Sequence, residues 1–500
     1  MSFRRRKEGL EVRYADADVG EEEVIDAYEL NDAVRVFITA DARYLLKEPR
    51  PPRGEEVAKT LKLVEYGLID IRDLKDPVLR YYVSRELRGL SSIDPLLRDP
   101  EVEDVHITGE VVRVVHRRYG VLLTNIRVDP DELMIRLGHR AGLIPTEARP
   151  LVTSTMSLGD AMFRVSITRR SDLTPVTSIT MRRVDLERYS IPYLIHLDAL
   201  DPYLAALICT LILLRRSLIL AGPPKSGKTT LLRAFLSFIP SYIKIVIIQS
   251  SGEVILNPRL FDYETISSRE LSPGGKYDYV DLYDNVIRSK SPGFLVIGEI
   301  RTDRDFWAFV QASLTRLGTL TTIHAESEED VIVKMGYPPY GAPKELLLSS
   351  IDAILILSYD AENNKKWASL LSLLDYNERF IRIYRARNVN GALFKESIEP
   401  QKLLESRAFE RGMEGGNPMI NMLRDEEGVL EFIHNTAVLL RALSIRYPKI
   451  TFSNFTELMR NYYSEYGEYS RKLAEIEVDW IPFGRVVYKG LRGSHDKGNT

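Results

Sequence analysis

The hydrophobic and polar positions of this chain follow two different patterns. In the N-terminal part, residues 111–115 and 162–167 alternate apolar with polar side chains, which predicts antiparallel strands with one face in water. Helical patterns occupy residues 55–66, 77–89 and 131–141. The N-terminal part of the chain is therefore predicted to combine an antiparallel sheet with helices.

The middle of the chain has short runs that are almost entirely apolar. Residues 217–221, 243–248 and 294–297 are such runs. They predict strands buried on both faces, as in a parallel sheet with helices on each side. From about residue 388 the pattern is helical, with a tyrosine-rich stretch around residues 455–472, and the polar tail after residue 488 is predicted to be disordered.

Composition narrows the possible classes. The 500 residues are 44% hydrophobic and 28% charged with a net charge of -3, so the chain has an ordinary globular composition and no global basic charge for nucleic-acid binding. A single cysteine, Cys209, excludes an internal disulfide and a four-cysteine zinc site and favours the cytosol. The longest apolar run, residues 204–214, is too short to cross a bilayer, and the basic N-terminus lacks the apolar core of a secretory signal.

The strongest motif is Gly-Pro-Pro-Lys-Ser-Gly-Lys-Thr-Thr at residues 222–230, which matches a phosphate-binding loop. An apolar strand precedes it and a helical pattern follows, the arrangement that directs backbone N–H groups at an anion. An ordinary Gly/Pro turn would not require these flanks. The predicted phosphate-binding residues are Gly222, Pro223, Lys225, Ser226, Gly227, Lys228, Thr229 and Thr230.

Three further strands end in residues that suit a nucleotide site. Glu299 ends an apolar strand and can hold Mg²⁺ beside the Thr229 hydroxyl. Glu253 follows another such strand, where it is placed to polarise a water molecule, although a solvated loop glutamate is an equal alternative. His324 ends a third strand and could donate a hydrogen bond to the γ-phosphate, although a structural role is also open.

The order of these segments resembles that of the secretion and type IV pilus assembly ATPases, the motors of type II and type IV secretion, pili and the archaellum. Gly298-Glu-Ile-Arg301 with Thr322-Ile-His-Ala325 is highly specific to that group. Residues 90–125 resemble the family's second domain, and residues 44–49 its archaeal branch. The resemblance covers about residues 24–387.

This resemblance implies an α/β fold. A RecA-like P-loop NTPase motor domain would be preceded by a PAS-like α/β N-terminal domain and followed by a helical C-terminal extension. The expected domains are an N-terminal α/β region over 1–74, the PAS-like domain over 75–190, the RecA-like ATPase domain over 191–387 and the extension with its disordered tail over 388–500. Six copies would form a ring with ATP between the domains.

The resemblance also assigns roles to single residues. Lys228 and Thr229 would bind phosphate and Mg²⁺, Glu253 would activate water, Glu299 would serve Mg²⁺, and His324 would sense the γ-phosphate. Three arginines are further catalytic candidates, with a surface or interdomain salt bridge as the alternative for each. They are Arg164 and Arg182, which match arginines that reach the nucleotide from the N-terminal domain, and Arg301.

Three segments depart from the family pattern. Gln249 and Ser250 stand where the family has two acidic residues, and Thr315-Arg-Leu317 replaces its Thr-Gly-His. Arg288 and Lys290 are poor matches to the paired arginines that the family usually has just before the Walker B strand, the strand that ends at Glu299. These changes concern the rate of hydrolysis rather than nucleotide binding, because the other site residues remain.

The leading hypothesis is a Mg²⁺-dependent, ATP-hydrolysing homo-hexamer. It would power assembly of a pilus-like filament, or secretion, through an integral-membrane platform protein, and would act in the cytoplasm at the inner face of the cell membrane. The first alternative is a nucleotide-binding scaffold of the same family with weak or no hydrolysis. A DNA translocase is less favoured, and no nucleic-acid partner is expected, because the charge is balanced and no basic aromatic groove is evident.

Overall fold

The structure is a computed structural model that describes most of the chain between residues 24 and 474. Its gaps are residues 32–33, 89, 143, 148, 159–160, 173, 250–253, 268–289, 316, 339, 390–391, 414–422 and 424. Contacts between residues divide the chain into an N-terminal unit, Met1–Asp185, and a C-terminal unit, Leu186–Thr500. The predicted disordered tail, Ser250, Glu253, Arg288 and Arg316 lie outside the described residues.

The N-terminal unit is built on a nine-stranded sheet. Its strands are β1 (Val24–Asn31), β2 (Val34–Thr39), β3 (Arg43–Lys47), β4 (Val102–Thr108), β5 (Val111–His116), β6 (Gly120–Arg127), β7 (Leu151–Leu158), β8 (Ala161–Thr168) and β9 (Ser178–Val184). They lie in the order β1-β2-β3-β6-β5-β4-β9-β8-β7. Neighbours are antiparallel except β3 and β6.

The predicted alternation is confirmed in this sheet. In β5 the side chains of Val112 and Val114 are buried while Arg113 between them is exposed, and β8 buries Phe163 and Val165 while Arg164 between them is half-buried. The sheet also joins strands from both sides of residue 74, where the sequence predicted a domain boundary. The division into four domains remains a prediction.

Helices of the N-terminal unit connect and cover these strands. They are α1 (Gly54–Glu65), α2 (Pro77–Arg88), α3 (Asp94–Arg98) and α4 (Pro130–Ala141), with short 3-10 turns at Ile71–Asp73 and Ser91–Ile93. Sequence signals explain the bounds of α4. The Asp129 side chain accepts hydrogen bonds from the backbone N–H groups of Asp131 and Glu132, and Gly142 ends the helix with a φ of 68°.

A second nine-stranded sheet forms the centre of the C-terminal unit. Its strands are β10 (Ser217–Ala221), β11 (Ile245–Gln249), β12 (Tyr263–Ser267), β13 (Phe294–Ile297), β14 (Gly318–Ile323), β15 (Ala353–Asp360), β16 (Lys365–Leu374), β17 (Phe380–Val389) and β18 (Ala392–Ile398). Their order is β12-β11-β13-β14-β10-β15-β16-β17-β18. The six strands β12, β11, β13, β14, β10 and β15 are parallel to one another, and β15, β16, β17 and β18 form an antiparallel meander.

Both faces of the parallel part are buried, as the apolar runs predicted. Leu218 and Leu220 of β10 belong to one core cluster, and Ile219 and Ala221 belong to a second cluster on the opposite face. The meander was not predicted. Strand β18 extends the sheet beyond residue 388, where a helical segment was expected to begin, because residues 392–398 can pair with β17 along its open edge.

Helices flank this sheet on both faces. They are α5 (Ile191–His196), α6 (Pro202–Leu213), α7 (Lys228–Phe235), α8 (Asp303–Leu314), α9 (Glu328–Gly336), α10 (Lys344–Ser350), α11 (Arg407–Met413), α12 (Glu426–Arg446), α13 (Phe452–Ser464) and α14 (Tyr466–Ala474), with 3-10 turns at Leu236–Phe238 and Pro400–Leu403. All twelve residues of α6 are buried, which confirms the prediction of a core helix around Cys209.

The C-terminal helices complete the core of this unit. Helix α12 packs against α6 and α5, and Phe432 and Phe455 share the cluster that contains α6. By length and apolar composition α12 could cross a membrane, but 61% of its apolar window is buried inside the protein. We therefore assign α12 as a core helix that covers α6.

Candidate functional site

The phosphate loop lies between β10 and α7 at the carboxyl edge of the parallel strands. Gly227, with a φ of 91°, takes the position before the first turn of α7, and as a glycine it has no side chain that could cap that turn. The first backbone N–H groups of the helix are thus left for an anion. Gly222 is required by close packing, because a Cβ there would lie 2.7 Å from both the Leu357 carbonyl oxygen and Ser226 Oγ.

Lys228 is held within this loop. Its Nζ donates hydrogen bonds to the carbonyl oxygens of Gly222, at 2.8 Å, and Pro223, at 2.9 Å, and lies 3.1 Å from His324 Nδ1. Burial lowers the pKa of Lys228, and the negative charge of Glu299 opposes that shift. The ammonium group is therefore partly desolvated and held by the loop itself, so that a bound phosphate would compete with these three contacts.

His324 connects Lys228 to Glu299. The His324 Nε2 atom lies 3.0 Å from Glu299 Oε1. Since a charged lysine can only donate, Nδ1 accepts from Lys228, and the neutral ring then carries its hydrogen on Nε2 and donates it to the carboxylate. The ends of β13 and β14 and the start of α7 thus meet in one chain of polar contacts.

Glu299 is mostly buried, with 15% of its side chain exposed. Besides His324, it accepts a 2.7 Å hydrogen bond from Arg301 Nε. Arg301 is 49% exposed. The contact between Arg301 and Glu299 is the salt bridge that the sequence left open as an alternative, and a catalytic role for Arg301 stays a prediction.

Magnesium would find suitable but incomplete ligands here. Thr229 follows Lys228 in the first turn of α7 and offers a hydroxyl oxygen, and Glu299 offers carboxylate oxygens. Oxygen atoms are the hard ligands that Mg²⁺ prefers. Within the described part of the chain, no group of three or more His, Cys, Asp or Glu side chains could hold a metal ion. The residues therefore fit an ion that enters with nucleotide phosphates as additional ligands.

Gln249 has a structural role that the sequence did not reveal. It ends β11, and its buried side-chain amide accepts a 2.7 Å hydrogen bond from Val254 N–H and donates a 2.8 Å bond to Val254 C=O. This bond pair fixes the residue that follows Glu253 in the chain. The role of Glu253 itself remains a prediction.

The two arginines predicted to reach the nucleotide belong to the N-terminal unit. Arg164 of β8 and Arg182 of β9 are directly opposite each other in the sheet. Arg182 pairs with Asp104 through Nε at 2.8 Å, yet 65% of its side chain is exposed. The structure thus brings the two arginines together, and their approach to a nucleotide stays a prediction.

A cavity of about 370 Å³ adjoins the phosphate loop and was not predicted. Three separate segments form it: residues 189–199, the loop and start of α7, and the hairpin between β15 and β16. Its lining residues are Tyr189, Leu194, Leu197, Ala199, Ser226, Gly227, Thr230, Leu231, Leu357, Asn364, Lys365, Lys366 and Trp367. No local sequence signal predicts the hairpin residues. The sequence motifs cover only the phosphate end of the site, which is the loop with Glu299 and His324.

Comparison with known proteins gives one family match. Residues 152–392, which run from β7 to the start of β18, match the model of the "Type II/IV secretion system protein" family. One uncharacterised protein of Methanocaldococcus jannaschii is 31% identical over 270 residues, 53% of this chain and 48% of that protein. A second protein of that organism is 32% identical over 193 residues, 37% of this chain and 69% of that protein.

Among solved structures, the pilus retraction motor PilT with bound ADP is 16% identical and has a TM-score of 0.40, covering 66% of this chain and 93% of PilT. This chain spans about half the length of the first M. jannaschii relative. The family match covers the phosphate loop, Glu299 and His324 together. The chain belongs to the type II/IV secretion system ATPase superfamily.

Proposed function

We propose that this protein is a Mg²⁺-dependent ATPase that acts as a homo-hexameric motor. The observation that carries the proposal is the connection Lys228–His324–Glu299. It joins the phosphate loop to two neighbouring strand ends at the edge of the sheet where ligands of open α/β folds bind. Through this connection, a phosphate that binds Lys228 would affect His324 and Glu299, which lie outside the loop.

Catalysis would rest on positioning and charge, as in other phosphoryl transfers. The Lys228 ammonium and the N-terminal N–H groups of α7 would hold the β- and γ-phosphates. Thr229 and Glu299 would hold Mg²⁺, which when bound neutralises charge on the phosphate oxygens. Glu253 would orient and deprotonate the attacking water.

His324 would report the state of the γ-phosphate. In the structure its Nδ1 accepts from Lys228, and a bound phosphate would compete for that lysine. Release from Lys228 would let His324 turn a donor toward the phosphate, and hydrolysis would restore the original contact. The exchange gives a physical basis for sensing, because each ring nitrogen has one partner at a time.

The larger assembly is part of the same proposal. Arg164 and Arg182 would approach the nucleotide when the two units close, where their charge is worth most in the transition state. Closure would be the mechanical output, transmitted to an integral-membrane platform protein of a pilus, archaellum or secretion machine. We place the protein in the cytoplasm, peripheral to the membrane.

A scaffold that binds ATP without hydrolysing it is the second candidate. It is favoured by Gln249, whose amide is used to hold Val254 where the family pattern has an acidic residue. A scaffold would oligomerise with ATP but show no turnover. Salt-sensitive DNA binding would instead support the translocase alternative, and no binding at low salt would exclude it.

The test is phosphate release by the purified full chain with ATP and Mg²⁺. Wild type is compared with Glu253→Gln and Glu299→Gln, which keep side-chain size and remove charge, and with Glu468→Gln on the exposed surface of α14 as a matched control. Turnover that is lost in the first two variants and kept in the third supports the motor. Binding of ATP without turnover in the wild type would contradict the motor and support the scaffold.

A further inference from the structure

Gln249 joins the end of β11 to Val254 across the segment of the chain that contains Glu253. Both Gln249 and Val254 are buried. The Gln249 side-chain amide accepts a hydrogen bond of 2.7 Å from the Val254 N–H and donates one of 2.8 Å to the Val254 carbonyl oxygen. A single side chain therefore satisfies both backbone polar groups of the residue that follows Glu253.

The surrounding core holds both partners of this bond pair in place. Val254 belongs to the core cluster that contains α6, and β11 is paired on both sides, with β12 and with β13. Gly298, which follows β13, donates its N–H to the Ile248 carbonyl oxygen at 2.9 Å. A Cβ at Gly298 would lie 3.2 Å from the Gln249 Cβ. Gln249 thus packs directly against the residue that precedes Glu299, and it has little room for another arrangement.

The bond pair requires one donor and one acceptor at the end of the side chain. A backbone N–H can only donate and a carbonyl oxygen can only accept, so Val254 determines which way the Gln249 amide faces. An ionised glutamate of the same length would accept from the N–H but would place its second oxygen against the carbonyl oxygen. Methionine, which is similar in length, would leave two buried backbone groups without these bonds. The position therefore requires the chemistry of glutamine as well as its size.

We propose that Gln249 is a positioning residue for Glu253 in ATP hydrolysis. The Val254 N–H belongs to the peptide group that joins Glu253 to Val254, and a peptide group is planar. Holding this N–H in one direction orients the whole peptide plane, which includes the Glu253 Cα. The inference rests on the proposed function, in which Glu253 activates the attacking water. In this role glutamine supports hydrolysis, and an acidic residue at position 249 would impair it.

The test measures phosphate release by the purified full chain with ATP and Mg²⁺ for wild type, Gln249→Glu and Gln249→Met. Both variants should lower kcat about tenfold or more, because a misplaced catalytic group slows the reaction steeply. Both should change KM less than about threefold, because the phosphates bind at Lys228. The stoichiometry of ADP binding in titration calorimetry gives the fraction of folded protein, to which kcat is normalised. Gln401→Glu, the same substitution in the exposed part of the 3-10 turn Pro400–Leu403, is the matched control and should change neither constant.

A second measurement separates positioning from a purely structural role. Single-turnover hydrolysis, with enzyme in excess over ATP, is compared between Glu253→Gln and the double variant Gln249→Met/Glu253→Gln. If Gln249 acts through Glu253, the added substitution should change the residual rate less than about twofold, because the carboxylate that it positions is already absent. A further loss as large as the one that Gln249→Met causes alone would make the role structural and would overturn the inference.

The substitution of an acidic residue gives the sharpest contrary outcome. If wild type hydrolyses ATP and Gln249→Glu has an equal or higher kcat, the inference is wrong while the proposed function stands. A higher kcat would mean that the absence of an acid at position 249 limits the rate. If wild type binds ATP without turnover, the proposed function fails and the inference fails with it.

Discussion

The phosphate end of the candidate site and the cavity beside it are built in opposite ways. At the phosphate end, Gly222, Ser226 and Lys228 lie in one loop of the sequence, and strand ends bring Glu299 and His324 to it. The wall of the adjoining cavity comes from segments as far apart as Tyr189 and Trp367. A contiguous motif can be recognised from sequence, whereas a wall assembled from distant segments cannot. The phosphate end could therefore be predicted from the sequence, and the cavity could not.

The largest expected effect is at Lys228. Lys228→Ala removes the buried ammonium that lies among the loop carbonyls, so ATP and tripolyphosphate affinity should both fall at least about tenfold, and turnover about a hundredfold or more. Calorimetry and phosphate release measure the two effects. Lys472→Ala, on the exposed surface of α14, should change neither. A variant that lost ATP but kept tripolyphosphate would contradict the assignment of Lys228 to the phosphate end.

The next largest effect should follow from breaking the connection between the loop and Glu299. His324→Ala removes both ring contacts, so turnover should fall about tenfold to a hundredfold, while nucleotide affinity changes less than about threefold because Lys228 keeps its carbonyl contacts. His324→Gln retains one donor and one acceptor and should give an intermediate rate. Turnover rates equal to wild type in both variants would contradict a role of His324 as the γ-phosphate sensor.

Gly222→Ala tests whether the phosphate loop must pack closely against Leu357 of β15. The added Cβ would lie 2.7 Å from the Leu357 carbonyl oxygen, so the loop must shift. We expect tripolyphosphate affinity to drop about tenfold and unfolding free energy to fall by about 1–3 kcal/mol. Gly54→Ala, where a Cβ meets nothing within 4 Å, should show neither change in calorimetry or denaturant unfolding.

The smallest expected effect is at Lys366. Its side chain is exposed and lies near the Tyr359 ring, with Nζ 5.8 Å from the centroid. Lys366→Gln should weaken ATP binding about twofold to threefold at low ionic strength, and the difference should vanish at about 1 M salt because exposed charges are screened. A salt-independent loss would instead mean that the Lys366 side chain contributes by packing rather than by its charge. Affinity at two salt concentrations decides between these readings.

Much of the site could be predicted because its signals are local. An apolar strand, a glycine loop and a helix define the phosphate end, and parallel strands bring their carboxyl ends to one edge, so Glu299 and His324 were expected beside Lys228. The direct contacts could not be predicted, because side-chain direction at a strand end depends on packing. From the sequence, Gln249 was interpreted only as the replacement of an acidic residue of the family pattern. The structure shows that its side-chain amide makes two hydrogen bonds with the backbone of Val254.

By itself the sequence determined the two kinds of sheet, the phosphate loop and the buried character of α6, since hydrophobic period and glycine spacing act over a few residues. Only the tertiary structure decided that β16 brings Trp367 to the loop, that β18 extends the sheet and that α12 covers α6. Each of these joins segments far apart in the chain. An apolar or amphipathic segment specifies that one face must be buried, and many partners satisfy that requirement equally until the whole core is packed.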